Sequence, residues 1–225
     1  MGVFVATSFV ADGTMNDRTN PTSAEIIANR DIWLKSQDIS IDDTVRIKIT
    51  YDEPENDYCR YREVTTGDKG VGMFDGNTKP ADGLVTKEKG VALFLPIADC
   101  VATTLYDEAQ GTLMLTHLGR QSLEQNGGFK SVKYLQENYG VNPATLKVWL
   151  SATVNKEAYK IYKLDNKGMK EAVYEQLLEA GIAQQNITDN QDDTATDSKY
   201  FSHSEYLKGN KPTDGTFAMV AIMRD

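Results

Sequence analysis

Cys100 and His117 are the side chains whose types and spacing most directly suggest chemistry in this 225-residue chain. They bracket a hairpin pattern, with VATTLY at 101–106 and TLMLT at 112–116 reading as two strands around DEAQG. If Tyr106 pairs with Gly111, antiparallel register sets Cys100 opposite His117, with Cβ atoms roughly 4.5–5.5 Å apart. A slip of one residue would turn one of the two to the other face. Two chemistries fit such a pair. Sulfur and imidazole nitrogen are zinc ligands, although a catalytic zinc takes three protein ligands and keeps one open position. Alternatively, a neighbouring imidazole favours the thiolate and makes a nucleophile, with Asp99 orienting the histidine. The plainer reading is a small buried cysteine and a hydrogen-bonded histidine. It applies with more force to Cys59, and to His203 between the serines of YFSHSE.

Other polar residues carry a weaker signal. Asp82 in ADG and Asp99 in ADC could orient a substrate or accept a proton, but aspartate beside glycine or a chain reversal is common turn chemistry. Gly119 and Arg120 in HLGRQS could bind an anion at a loop-to-helix junction. No GxGxxG, GxxxxGK[ST], CxxC or HExxH arrangement is present.

The elements that must hold these residues are mostly readable. MGVFVATSF predicts a first strand and DGTMNDRTNPT a loop. Pro21, Thr22 and Glu25 predict a capping box for a helix over 24–36, with Ile26, Ile27, Trp33 and Leu34 as its apolar stripe. TVRIKIT at 44–50 alternates like a half-buried strand, and residues 51–80, containing DEPEND and DGNTKP, read as turns. VALFLPIA at 91–98 predicts a buried strand, a helix follows the glycines at 127 and 128, and LKVWL at 146–150 is another strand. Asp165 is expected to cap a helix over 165–180, residues 185–200 to form a surface loop, and FAMVAIM at 217–223 a buried strand. Strands outnumber helices, and the hairpin argues against a purely parallel sheet.

Size and composition predict one domain over 1–225. The longest apolar run falls far short of the roughly 20 residues that cross a bilayer, so no membrane partner is expected. The first residues lack a basic region before an apolar stretch, which predicts a cytoplasmic protein. With 33 acidic against 24 basic residues and a net charge of -9, no basic track for nucleic acid exists. A small anion could still be held at a local positive site.

The chain resembles the bacterial laccase-domain family, also called the multicopper polyphenol oxidoreductase-like or purine nucleoside phosphorylase family. The likeness runs through ATSFVADG, the ENR-like ANRDIWL at 28–34, ADGLVT, GVALFLPIADCVATTLYD followed by LMLTHLGRQS, LDNKGMKEAVYEQLLEAGI, KYFSHSEYLKGN and DGTFAMVAIM. It implies a compact α+β fold, with mixed, largely antiparallel sheets in a layered core flanked by helices.

The resemblance also implies a zinc site of two histidines and a cysteine. Cys100 and His117 match two of the three. The other histidine belongs to a QVHG-like phrase, for which REVTTG stands here with Thr65 near the ligand position, so that His203, a carboxylate or water would have to complete the site. The family's HAGWRG-like phrase is HLGRQS, with Arg120 as a shifted substitute for its arginine. A CT phrase corresponds loosely to Asp193-Thr194, and arginines after FS are replaced around His203, Ser204 and Glu205. Arg120 and His203 are therefore the remaining phosphate or substrate candidates, and Cys100, His117 and Asp99 the catalytic ones. The implied reaction is phosphorolysis of adenosine, inosine or guanosine to free base and ribose 1-phosphate, with adenosine deamination as a further activity. Its partners would be a small nucleoside and phosphate. Two histidines are too few for several copper centres. A metal-free Cys/His hydrolase and a catalytically inactive nucleoside-binding protein are the alternatives.

Overall fold

The computed structural model describes residues 2–17, 19–51, 57–76 and 78–225; Met1 of the first strand, Arg18 of the first loop, and residues 52–56 and 77 of the turn-rich stretch lie outside it. Ten strands among the described residues form two sheets. The first has the order β1 (Gly2–Thr7), β10 (Phe217–Arg224), β5 (Ala92–Ile97), β2 (Thr44–Arg46). The second runs β3 (Tyr61–Glu63), β4 (Gly83–Thr86), β7 (Thr112–Leu118), β6 (Val101–Asp107), β8 (Lys147–Leu150), β9 (Ile187–Asp189). The pairs β2–β5, β3–β4 and β8–β9 are parallel and the other described pairings antiparallel, so the α+β fold has mixed sheets.

Alternation in the sequence sets the layers, because successive strand side chains face opposite ways. On β10, Phe217, Met219, Ala221 and Met223 point into a core shared with Leu113 and Leu115 of β7 and Ala102 of β6, so the sheets pack face to face. The alternate residues Ala218, Val220 and Ile222 join Phe94 under Trp33 and Leu34 of α1 (Ala24–Ser36). On the far side, Leu105, Met114 and Val148 are covered by Val132 and Leu135 of α3 (Gly127–Tyr139) and Val173 and Leu177 of α4 (Met169–Glu179). Both faces of the central strands are thus buried, and each large apolar side chain removed from water contributes roughly 1.5–3 kcal/mol. No described helix is long and apolar enough to cross a membrane.

Several local expectations shift. The cap of α1 is Ser23, whose hydroxyl accepts the Ile26 N–H, rather than Thr22. Asp165 sits in the left-handed region at φ 53° and does not cap α4. Gly168 does, and its N–H is taken by the Glu171 carboxylate at 2.9 Å. The polar stretch 185–200 contains β9, which adds a parallel edge strand to β8.

Candidate active site

The β6–β7 hairpin brings Cys100 and His117 together, although by a different register from the one read in the sequence. Asp107 pairs with Thr112 and Tyr106 with Leu113, so the residue opposite His117 is Ala102. The loop takes four residues because the Asp107 carboxylate accepts the Gln110 N–H at 3.0 Å and Gly111 turns at φ 57°. A shift of two residues leaves every side chain on its expected face. His117 therefore points between the sheets with Leu113 and Leu115, and Cys100, in the β5–β6 turn, reaches the same space.

Gly119 shows how closely the pair converges. A Cβ there would lie 2.7 Å from His117 Cε1 and 2.9 Å from both Cys100 Sγ and His117 Nε2, so sulfur and nitrogen are within about 6 Å of each other across a space that only glycine leaves open. His117 is anchored through its backbone: its N–H donates to the Asp82 carbonyl at 2.7 Å, and the Ser122 hydroxyl donates to its carbonyl at 3.2 Å. Asp82 is itself buried and gripped by Arg60, whose Nε donates to Oδ2 at 2.8 Å and Nη2 to Oδ1 at 3.3 Å. Burial pushes the imidazole down to about 4 despite the opposing pull of the Asp82 charge. The ring is neutral at neutral pH, with one nitrogen lone pair and one N–H.

Cys100 and His117 line a cleft of about 670 Å³. Its wall includes Arg46, Lys48, Thr50 and Tyr51 from β2 and the chain after it, Pro96 to Ala98 at the end of β5, Thr14 and Asn16, and the stretch Asp214 to Thr216 with His203. His203 opens α5 (His203–Leu207) and holds its Nδ1 3.0 Å from Asp214 Oδ1. Asp99 supports the site from behind. Its carboxylate accepts the Thr194 hydroxyl at 2.9 Å and the Ser204 N–H at 2.7 Å, while its carbonyl accepts the Thr153 hydroxyl and the Val154 N–H. These bonds fix the turn that carries Cys100, and they occupy the oxygens that would orient His117.

Two other expected residues lie elsewhere. Arg120, on α2 (Arg120–Glu124), is absent from the cleft wall and reaches toward Glu124 at 3.6 Å. Thr65 caps a 3-10 turn at Thr66–Asp68 and also lies outside the cleft; one of the threonines in the cleft wall is Thr50, which accepts from Arg60 Nη1 at 3.2 Å. Reading the sequence also missed Arg46, whose signal was a basic residue in the alternating TVRIKIT strand.

The donor set does not fit a three-ligand zinc. Among the described residues no three His, Cys, Asp or Glu side chains gather as a metal site. Sulfur and imidazole supply two donors at the pair, and His203 is turned to Asp214. Several copper centres would need still more imidazoles than the two in the sequence.

A profile of the family described as multi-copper polyphenol oxidoreductase laccase matches residues 14–167, from the cleft loop through the whole Cys100/His117 hairpin to the start of α4. The chain belongs to this family. Within this laccase family, purine nucleoside phosphorylase YlmD of Bacillus subtilis is 27% identical over 140 residues, covering 61% of this chain and 48% of YlmD. The chain thus spans about half the length of that relative. The crystal structure of YfiH from Bacillus licheniformis superposes with a TM-score of 0.82 at 20% identity, over 99% of this chain and 93% of YfiH. That of YlmD from Geobacillus stearothermophilus gives 0.81 at 21% identity, over 94% and 85%. At these identities the two structures establish the fold alone.

Proposed function

We propose that the protein is a diverged purine nucleoside phosphorylase, acting on adenosine, inosine or guanosine in the cytoplasm, with adenosine deamination as a secondary activity. The convergence of Cys100 Sγ and His117 Nε2 over Gly119, inside a cleft large enough for a nucleoside, carries this reading. The naming of a family relative as a purine nucleoside phosphorylase supports it.

In phosphorolysis the bond between C1′ and the purine nitrogen breaks, a phosphate oxygen bonds to C1′, and the proton of hydrogen phosphate ends on the departing base. A neutral, buried imidazole suits that proton. His117 can accept at one nitrogen and donate at the other, so the transfer leaves no charge in the dry site. Cys100 borders the reacting space, and Asp99 keeps its turn in place as a positioning residue. No step is assigned to a metal, because the donors present are two.

A second reading rests on the same pair. In this reading Cys100 acts as a thiolate nucleophile on an acyl or amide substrate, and ion pairing with the sulfur must offset the burial that holds His117 neutral. Product-resolved turnover of the three nucleosides, with and without phosphate, separates the readings. The phosphorylase reading expects base and ribose 1-phosphate only when phosphate is present, lost in Cys100→Ala and His117→Ala. Folded protein that releases no base rejects it, and rapid alkylation of Cys100 at neutral pH would then favour the thiolate enzyme.

A further inference from the structure

We infer that Arg46, backed by Arg30, forms an oxyanion seat in the wall of the cleft that takes a tetrahedral anion such as inorganic phosphate. Both guanidinium groups are buried, Arg30 completely and Arg46 to 5% exposure. Among the described residues neither has a carboxylate at ion-pair distance. Arg30 instead donates to the carbonyls of Met15 at 2.8 Å, Met73 at 2.9 Å and Pro21 at 2.9 Å, and to Asn16 Oδ1 at 3.3 Å. Arg46 donates through Nε to the Gly72 carbonyl at 2.5 Å and through Nη1 to the same Asn16 oxygen at 3.0 Å. Its Nη2 makes no hydrogen bond among the described residues, and Arg46 borders the cleft.

Two like charges sharing one amide oxygen, largely buried and with no carboxylate in direct contact among the described residues, are costly, and an anion at the site would offset that cost. Burial and the charge of Arg46 together hold Arg30 down at about 9, a measure of that cost. Asp75 pulls on Arg46 only through space. The aspartates that line the cleft are engaged elsewhere: Asp17 accepts from Thr19 and from the Asn20 N–H, and Asp214 faces His203. Lys48 adds a further positive charge to the wall. The same region holds a second unmet polar group. Thr78 packs with Arg46 against Gly72, and its buried hydroxyl has no partner among the described residues. A planar guanidinium at the wall of a cleft matches the geometry of an oxyanion, which it can bind through paired N–H groups.

As an oxyanion site this stands on its own geometry; that the anion is the co-substrate rests on the phosphorolysis reading. Calorimetric titration of the full chain with inorganic phosphate should show one saturable site, competed by sulfate, and weakened at least about tenfold in Arg46→Gln. Wild-type protein that shows no saturable phosphate binding, or binds no more tightly than Arg46→Gln, overturns the inference. If that variant fails to fold, the Nε–H resonances of Arg46 and Arg30 in the wild-type chain decide. Phosphate should shift the Arg46 signal, and resonances that stay fixed through the titration overturn the seat. Phosphate bound at Arg46 without nucleoside turnover would support the seat and reject the phosphorylase.

Discussion

Two charged or polar pairs serve the cleft, one lining it and one reaching it through Arg46 alone, and they are built in opposite ways. Cys100 and His117 are 17 positions apart on one hairpin, and the strands that hold them are buried on both faces. Arg30 and Arg46 come from α1 and β2 and are held by loop carbonyls at Met15, Pro21, Gly72 and Met73. In the first pair burial holds His117 neutral; the second pair is charged and has no carboxylate in direct contact among the described residues. A site can therefore keep its reacting pair on one hairpin while its charge comes from a separate helix and strand that loop carbonyls hold in place.

The comparison is broken most severely at the reacting pair. His117→Ala should lower phosphate-dependent base release by roughly a thousandfold, in the range general acid–base groups contribute. Retained turnover in a folded variant would show that proton transfer in this cleft belongs to another group. A comparable loss in Asp99→Asn, accompanied by a lower melting temperature, would instead report the turn that carries Cys100.

The arginine pair should respond first in stability. Arg30→Met removes donors from three carbonyls and the Asn16 amide, and should cost about 3 kcal/mol, read by urea denaturation of wild type and variant. A smaller loss, below about 1 kcal/mol, would mean that the buried charge was costing nearly as much as its bonds contribute, as happens when a buried ion is replaced by an apolar side chain. Repeating the melts in phosphate sharpens the point, since the anion should stabilise wild type more than the variant.

These differences explain what could be read without coordinates. The inner strands β5 and β10 and the Cys100/His117 hairpin were legible, because their signals are local and have period two. Even a two-residue error in register left both side chains facing the same space. The caps were less legible, because Asp165 and Gly168 compete for one helix start and the choice falls to the Glu171 carboxylate. Arg46 could be seen as a polar position on a strand, but its partners lie 26 and 30 residues away, so its purpose was invisible. Thr65 was placed by its phrase, whereas Thr50, which does border the cleft, lies just before the turn-rich stretch, where order along the chain is a poor guide.

A smaller effect tests the crowding between the reacting atoms. Gly119→Ala would place a methyl 2.9 Å from both Sγ and Nε2, closer than such contacts allow, so either the imidazole or the thiol must move. Overpacking of this kind costs about 1–3 kcal/mol. The expected signature is a melting temperature lowered modestly together with a large fall in base release. An alanine variant with unchanged turnover would place the reacting space away from Gly119.

The mildest test uses pH. His117 is neutral in the fold because its value is pressed from 6.5 to about 4, so the unfolded chain takes up that proton first on acidification. The stability it contributes is present above pH 6.5 and is lost progressively as pH falls toward 4. Between pH 7 and pH 6 the loss should be roughly 1 kcal/mol or slightly less. Carboxylates also titrate below pH 5, so the informative quantity is the difference between wild type and His117→Gln across pH 7 to 5. Parallel curves would mean that the imidazole is protonated as readily in the fold as out of it, and a ring so easily charged could not serve as the neutral proton carrier proposed for this cleft.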